Sequence, residues 1–115
     1  VYVGPAQAEA STILSDFQAA YAAAYNGDAP DSFATNSYDA TYIIAAAIER
    51  AGSADTKAVR DEVAATKDFL GANGTINFAA NGDLVASQGV YDVEGTTPVY
   101  VGSFQVVDNH IVQVD

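Results

Sequence analysis

The sequence NSYDATYIIAAAIERAG fills residues 36–52 and predicts one helix with a recognisable signal at each end. Ser37 is a candidate N-cap, and Asp39 would place a negative charge in the positive first turn. Arg50 falls in the last turn, and Gly52 follows it where a residue with positive φ is favoured. Apolar residues recur at helical spacing and predict one continuous apolar face: Ala40, Ile43, Ile44, Ala47 and Ile48.

The amino-acid composition excludes several classes of protein and of binding site. The 115 residues suffice for one domain or a piece of a larger one, and half of them are hydrophobic. Fifteen acidic against four basic residues give a net charge of −11, which disfavours binding to nucleic acid or to anionic membranes. The absence of cysteine excludes disulfides, thiolate metal sites and a cysteine nucleophile. The opening VYVGP is typical of an interior strand, so we expect a longer parent protein.

Two further helices are predicted around the central one. The first follows a lead-in at residues 6–11 and ends in a linker rich in Gly, Pro and Asp at residues 27–32. Its apolar residues lie on one face: Ile13, Leu14, Phe17, Tyr21, Ala24 and Tyr25. The third helix covers Thr56–Thr66 and takes Ser53 or Asp55 as its N-cap.

Beyond Phe69 the helical period gives way to an alternation of polar and apolar residues. Asn81-Gly82 and Asp108-Asn109 are dipeptides that favour turns between paired strands. The predicted strands are Thr75–Phe78, Leu84–Val85, Gly89–Val93, Pro98–Val107 and His110–Val114, after a first short strand at Val1–Val3. Three helices followed by antiparallel strands would be an α+β domain on its own, but the order also suits a piece of a two-lobed α/β protein.

Signals for catalysis or metal binding are weak. The single histidine, His110, lies beside a turn, and we expect it to be an exposed flanking residue. No phosphate-binding loop, nucleophile elbow or zinc-protease motif is present. Asn81-Gly82-Asp83 faintly resembles a calcium loop, but Ala79 and Ala80 stand where carboxylates are expected, so a hairpin turn is favoured. We predict no catalytic residue, no metal and no cofactor.

Tyr38 and Asp39 form the candidate ligand-binding site. They follow a linker that could serve as a hinge, and they lie at the predicted helix N-terminus, which favours anionic groups such as a ligand carboxylate. A tyrosine ring can cover an apolar ligand and offers one hydroxyl. The simpler alternative is that Ser37 and Asp39 only cap the helix while Tyr38 packs on the core.

Four segments of the chain match one known pattern. They are FQAAYAAAYNGDAP (17–30), YDATYIIAAAIERAGSAD (38–55), KAVRDEVAATKDFLGANGTINFAANGD (57–83) and PVYVGSFQVVDNHIVQV (98–114). Together they resemble the C-terminal part of the branched-chain amino-acid-binding family, the type I periplasmic solute-binding proteins of ABC transporters. The likeness is a pattern of many moderate matches, and it covers nearly the whole chain.

This resemblance implies an α/β fold, as a fragment of a two-lobed periplasmic binding protein that closes on a ligand between its lobes. It also implies three parts: about 1–31 from one lobe, 32–88 from the other and 89–115 as returning strands. Tyr38 would lie near the cleft and is the first candidate for ligand contact, with Asp39 as the second. The remaining ligand contacts of the family lie in its first two-thirds, which matches nothing here. Ala79 replaces the family's usual Asp, and this should alter a turn more than a site.

By resemblance, the chain is expected to serve as the solute-binding component of an ABC importer, not as an enzyme. The ligand would be an amino acid of the branched-chain type or a similar small carboxylate. Other expected partners are the ABC permease, the missing N-terminal part of the same protein and, for an isolated chain, further copies bound through exposed lobe surfaces. The location would be periplasmic or extracellular, with a lipid anchor in the parent. A ligand-sensing receptor domain and a non-binding structural module remain alternatives.

Overall fold

The computed structural model describes residues 1–5 and 12–114 and arranges them in two compact units. One unit contains the first strand and the chain from residue 86 onward, and the other contains the helices and the chain up to residue 85. The described elements are β1 Tyr2–Pro5, α1 Thr12–Ala24, α2 Ser32–Ala51, α3 Thr56–Ala64, β2 Phe69–Gly71, β3 Gly74–Phe78, β4 Leu84–Val85, β5 Gln88–Glu94, β6 Thr97–Val107 and β7 His110–Gln113. The predicted order of three helices followed by antiparallel strands is confirmed.

The central helix α2 begins earlier than the sequence predicts. Its N-cap is Asp31, whose side chain accepts a hydrogen bond from the Ala34 N–H at 2.8 Å. A start at Asp31 gains the backbone hydrogen bonds of more than one extra turn, which a start at Ser37 would lose. Ser37 therefore lies inside the helix, and the prediction that it is the N-cap is wrong. Asp39 lies beyond the first turn, so its predicted place in that turn is wrong as well.

The apolar face of α2 is divided between two environments. Ile43 and Ala47 are 5% and 0% exposed, whereas Ile44 and Ile48 are 49% and 41% exposed. The buried residues follow i,i+4 spacing and form one stripe: Thr35, Asp39, Ile43 and Ala47. The predicted apolar face is therefore only partly covered, because the helix packs one stripe within its own unit and leaves the adjacent apolar stripe exposed.

The signals between α2 and α3 are confirmed. Gly52 has a φ of 60°, and its N–H donates to the last turn of the helix, as expected of a glycine at this position. Asp55, rather than Ser53, is the N-cap of α3 and accepts a hydrogen bond from the Ala58 N–H at 2.9 Å. Both features depend on neighbouring residues alone, which is why the sequence predicts them well.

A partly exposed ion pair joins α2 to α3. Arg50 Nε donates to Glu62 Oε2 at 3.0 Å, and Arg50 Nη2 donates to the Glu62 carbonyl oxygen at 2.8 Å. The two side chains keep 42% and 35% of their surfaces exposed. Pairs of this kind contribute at most about 1 kcal/mol to stability, so the link orients the helices more than it stabilises them.

The strands β2, β3 and β4 form an antiparallel sheet in the same unit as the helices. A two-residue turn joins β2 to β3 between the paired Gly71 and Gly74, and Gly74 has a φ of 94°. The turn predicted at Asn81-Gly82 joins β3 to β4, with Gly82 at a φ of 90°. Ile76 of β3 is 7% exposed and belongs to the small apolar core of this unit.

The other unit is a four-stranded antiparallel sheet with the order β1-β5-β6-β7. Asp108 and Asn109 join β6 to β7 and have φ values of 49° and 62°. Two positive φ values in a two-residue loop define the type I′ turn, whose twist matches that of paired strands. The predicted turn is confirmed, whereas the pairing of β1 with β5 was not predictable from local sequence because most of the chain separates them.

The predicted division into residues 1–31, 32–88 and 89–115 concerns the lobes of a complete protein, and it stays a prediction. The compact units of this chain have different boundaries, since α1 belongs to the same unit as α2. The predicted lead-in at residues 6–11 lies outside the described residues. Within the described residues, no helix is both long and apolar enough to cross a membrane.

Candidate functional site

Asp39 connects α2 to the turn between β2 and β3. Its side chain is buried, with 2% of the residue exposed. Oδ1 accepts a hydrogen bond from the Ala72 N–H at 2.6 Å, and Oδ2 accepts from the Asn73 N–H and from Asn73 Nδ2, both at 2.9 Å. These three donors compensate the desolvation of the carboxylate, and within residues 1–5 and 12–114 no basic side chain forms an ion pair with it.

The turn that Asp39 binds leaves no room for a larger residue. A Cβ atom placed on Gly71 would lie 2.6 Å from Cγ and from both oxygens of Asp39. Asn73 Nδ2 also donates to Asn36 Oδ1 at 3.0 Å, which adds a second link from the turn to α2. Sequence reasoning missed the roles of Asn36 and Asn73. The only local signal was the Asn73-Gly74 dipeptide, which marks a turn but does not show what the turn contacts.

Tyr38 lies in a row of five aromatic rings that crosses from α1 to α2. The ring centroids are 4.4 Å apart for Tyr25 and Tyr21, 5.8 Å for Tyr21 and Phe17, 4.6 Å for Phe17 and Tyr38, and 4.8 Å for Tyr38 and Tyr42. All four pairs are tilted, a favourable arrangement for aromatic rings. The three middle rings are half-buried, while Tyr25 and Tyr42 at the two ends are 54% and 53% exposed.

The surroundings of the Tyr38 hydroxyl favour its neutral form. Its pKa is raised above the ordinary 10.0, first by a side-chain hydrogen bond with Tyr42 and then by burial. The negative charges of Asp39 and Asp16 raise this pKa further. These two negative charges are minor causes beside the hydrogen bond and the burial, and they do not attract a bound carboxylate.

Tyr38 and Asp39 both line a cavity of about 190 Å³ between α1, α2 and β2. The lining residues are Ile13 of α1, Tyr38, Asp39 and Tyr42 of α2, and Phe69, Leu70 and Gly71 of β2. Most of this lining is hydrocarbon and aromatic ring. The two predicted residues are therefore brought together at one cavity, although neither is at a helix N-terminus.

The geometry changes what these residues can do chemically. The predicted attraction of a ligand carboxylate depended on a helix N-terminus, and the N-terminus of α2 lies at Asp31. The Asp39 oxygens already accept three hydrogen bonds from the turn. Ligand contact by Tyr38, with Asp39 behind it, stays a prediction, and the role that the geometry gives Asp39 is to hold the turn.

The sequence also suggested a possible calcium loop at residues 81–83 and contains one histidine, and both have only local roles. Asn81 Oδ1 accepts a hydrogen bond from the Asp83 N–H at 3.1 Å, and Asn81 Nδ2 donates to Asp83 Oδ2 at 2.7 Å, as in a hairpin turn. His110 is exposed at the start of β7. Across residues 1–5 and 12–114, no three His, Asp or Glu side chains are grouped as a metal site would require.

The chain matches a known family over most of its length. The profile of the periplasmic binding protein family covers residues 1–97. A search of the curated proteins gave no match.

Solved structures that resemble the chain include the following three. The leucine-binding protein LivK from Thermotoga maritima is 31% identical with a TM-score of 0.69, over 82% of this chain and 27% of that one. LivJ from Streptococcus pneumoniae, a branched-chain amino acid transporter substrate-binding protein solved with isoleucine, is 27% identical with a TM-score of 0.71, over 86% and 29%. An ABC transporter solute-binding protein from R. palustris, solved with benzoate, shares the fold at 22% identity and a TM-score of 0.69, over 85% and 27%. The chain thus spans less than a third of the length of each.

The link between Asp39 and the turn can be tested with a double-mutant cycle. Asp39→Ala leaves two backbone N–H groups of the turn without a partner, and we expect it to lower the free energy of unfolding by about 3 kcal/mol. Gly71→Ala forces a Cβ against the carboxylate and should cost about 2 kcal/mol. In the double variant the clash is absent, so the combined loss should fall short of the sum by about 1 kcal/mol.

Urea denaturation of the four proteins measures these differences. Asp16→Ala is the control, since Asp16 is exposed on α1 and its replacement should change stability by less than about 0.5 kcal/mol. Strictly additive losses from Asp39→Ala and Gly71→Ala would contradict the direct contact between these two residues.

The raised pKa of Tyr38 predicts a stability that depends on pH in the alkaline range. Because the folded pKa is above the unfolded value of 10.0, the contribution is complete below that pH and is lost as the pH rises through the folded pKa. Tyr38→Phe should therefore flatten the fall in unfolding free energy between pH of about 9 and about 11. Tyr42→Phe removes the largest cause of the raised pKa of Tyr38. It should therefore partly flatten the same fall in unfolding free energy. An unchanged slope in Tyr38→Phe would show that Tyr38 does not ionise differently on unfolding.

Proposed function

Because this chain belongs to the periplasmic binding protein family, we propose that it forms the C-terminal portion of the solute-binding component of an ABC importer. The observation that carries the proposal is the match to this family over residues 1–97. The similarity in fold to LivK and LivJ supports an amino acid of the branched-chain type, or a similar small carboxylate, as the ligand.

The proposed mechanism is binding without chemistry. A ligand that contacts both lobes stabilises the closed arrangement, because only that arrangement makes all of its contacts. The permease then recognises the closed protein by its shape. In this proposal Tyr38 contacts the ligand, while Asp39 acts indirectly by fixing the turn at residues 72–73 against α2. The positive groups that a ligand carboxylate needs would come from the remaining part of the protein.

The exposed stripe of α2 supports the proposal that a further part of the same protein completes this chain. Phe33, Ile44 and Ile48 are 78%, 49% and 41% exposed and share one side of the helix. An apolar stripe of this length is costly to leave in water and favours a covering surface. In the complete protein the cover would be the missing N-terminal part; for the isolated chain we propose a further copy. A periplasmic or extracellular location, with a lipid anchor, belongs to the same proposal.

Calorimetry on the complete protein tests the proposed function. We expect saturable binding of leucine, isoleucine or a related small carboxylate, together with a smaller radius of gyration in X-ray scattering when ligand is present. Tyr38→Ala should weaken binding at least about tenfold if the ring contacts the ligand. Binding without any change in scattering would argue against closure of two lobes, and no binding across amino acids and small carboxylates would refute the proposal.

The adjacent residues Ile43 and Ile44 test whether α2 is covered in the complete protein. Ile43 is buried in this chain, so Ile43→Ala should cost about 2–4 kcal/mol both in the chain and in the complete protein. Ile44→Ala should cost less than about 1 kcal/mol in the chain but about as much as Ile43→Ala in the complete protein. Denaturation of the two variants, each made in the chain and in the complete protein, measures these losses of unfolding free energy. A small loss for Ile44→Ala in both contexts would show that its stripe stays exposed.

A further inference from the structure

We propose that the cavity between α1, α2 and β2 binds one neutral aromatic ring of about the size of benzene. The described residues that line the cavity all belong to the unit that contains the three helices. The inference goes beyond the proposed transport function and does not depend on it, because it concerns a site that this chain forms by itself.

The cavity is large enough for one aromatic ring. Its volume is about 190 Å³, and one side is open to solvent. A dry protein cavity of about 150 Å³ lined by hydrocarbon side chains is large enough for benzene. A single six-membered ring therefore fits here.

The row of aromatic rings favours a ring over an aliphatic chain. The row runs through Phe17 and Tyr38 and ends at Tyr42, at the edge of the cavity. Tyr42 lines the cavity and is 53% exposed, so its side chain is only partly covered by other residues. A bound ring beside it extends the series of tilted contacts by one member, and such contacts contribute more than the burial of area alone.

The charges around the cavity favour a neutral ligand. Among the described residues that line the cavity, Asp39 is charged and none is basic. A ligand carboxylate would meet this buried negative charge without a compensating cation. An ammonium group would find an Asp39 carboxylate that is 2% exposed and already hydrogen-bonded to the turn. A neutral ring carries no charge, so Asp39 does not repel it and it needs no free carboxylate as a partner.

Nuclear magnetic resonance titration of the 115-residue chain tests the proposal. Benzene should shift the methyl signals of Ile13 and Leu70 in a saturable way, because both side chains line the cavity. Benzoate at the same concentration should leave these signals in place. The two probes differ by one charged group, so the comparison isolates the effect of charge.

Two tyrosine variants locate the binding. Tyr42→Ala removes the ring at the edge of the cavity and should weaken benzene binding about tenfold. Tyr25→Ala is the matched control, because Tyr25 ends the same row at the far side, is 54% exposed and does not line the cavity. The Tyr25→Ala variant should bind benzene with the same affinity as the unchanged chain.

Three outcomes would overturn the proposal: no saturable shift with benzene, equal shifts with benzoate, or equal losses in the two tyrosine variants. Loss of benzene binding in the complete protein would also overturn it, since the cavity would then belong to a packing contact with the rest of the chain. Calorimetry on the complete protein with amino acids tests the transport function separately, so each proposal can fail alone.

Discussion

The buried carboxylate of Asp39 is the interaction on which the helical unit depends. It binds the backbone of residues 72 and 73, which are more than thirty positions away, and thereby fixes the β2–β3 hairpin against α2. A carboxylate is acceptable in this position only because three N–H donors meet it. The same contact requires Gly71, since any side chain there would occupy the space of the carboxylate.

The cavity follows from this contact. Tyr38 and Tyr42 lie on either side of Asp39 along α2, and Phe69 and Leu70 come directly before the turn that Asp39 holds. If the turn is fixed on the helix, the walls that α2 and β2 supply are fixed as well. Its position beside a buried negative charge then determines its chemistry, because a neutral ring can enter where a carboxylate is repelled. One hydrogen-bonded contact therefore sets both the packing and the ligand preference of this unit.

The sequence predicts the features that depend on neighbouring residues and misses those that depend on distant ones. Gly52, the cap at Asp55 and the turn at Asp108-Asn109 are encoded locally and were predicted. The start of α2 was not, because Asp31 and Ser37 are both acceptable caps and only the length of the resulting helix distinguishes them. Tyr38 and Asp39 line one cavity, but the physical reason for pairing them was wrong, since the partner of Asp39 is a distant turn and not a helix dipole.

The two stripes of α2 indicate how this helix would be held in the proposed complete protein. One stripe, which includes Asp39 and Ile43, binds the helix to its own hairpin, and the other, which includes Ile44 and Ile48, faces outward. If the rest of the protein covers the outer stripe, α2 lies between that part and the hairpin and is bonded to both. The hairpin would then follow the covering lobe during closure, because the short hydrogen bonds of Asp39 allow little relative motion. In such a protein the cavity walls that α2 and β2 supply would move together in opening and closing, because Asp39 joins those two elements.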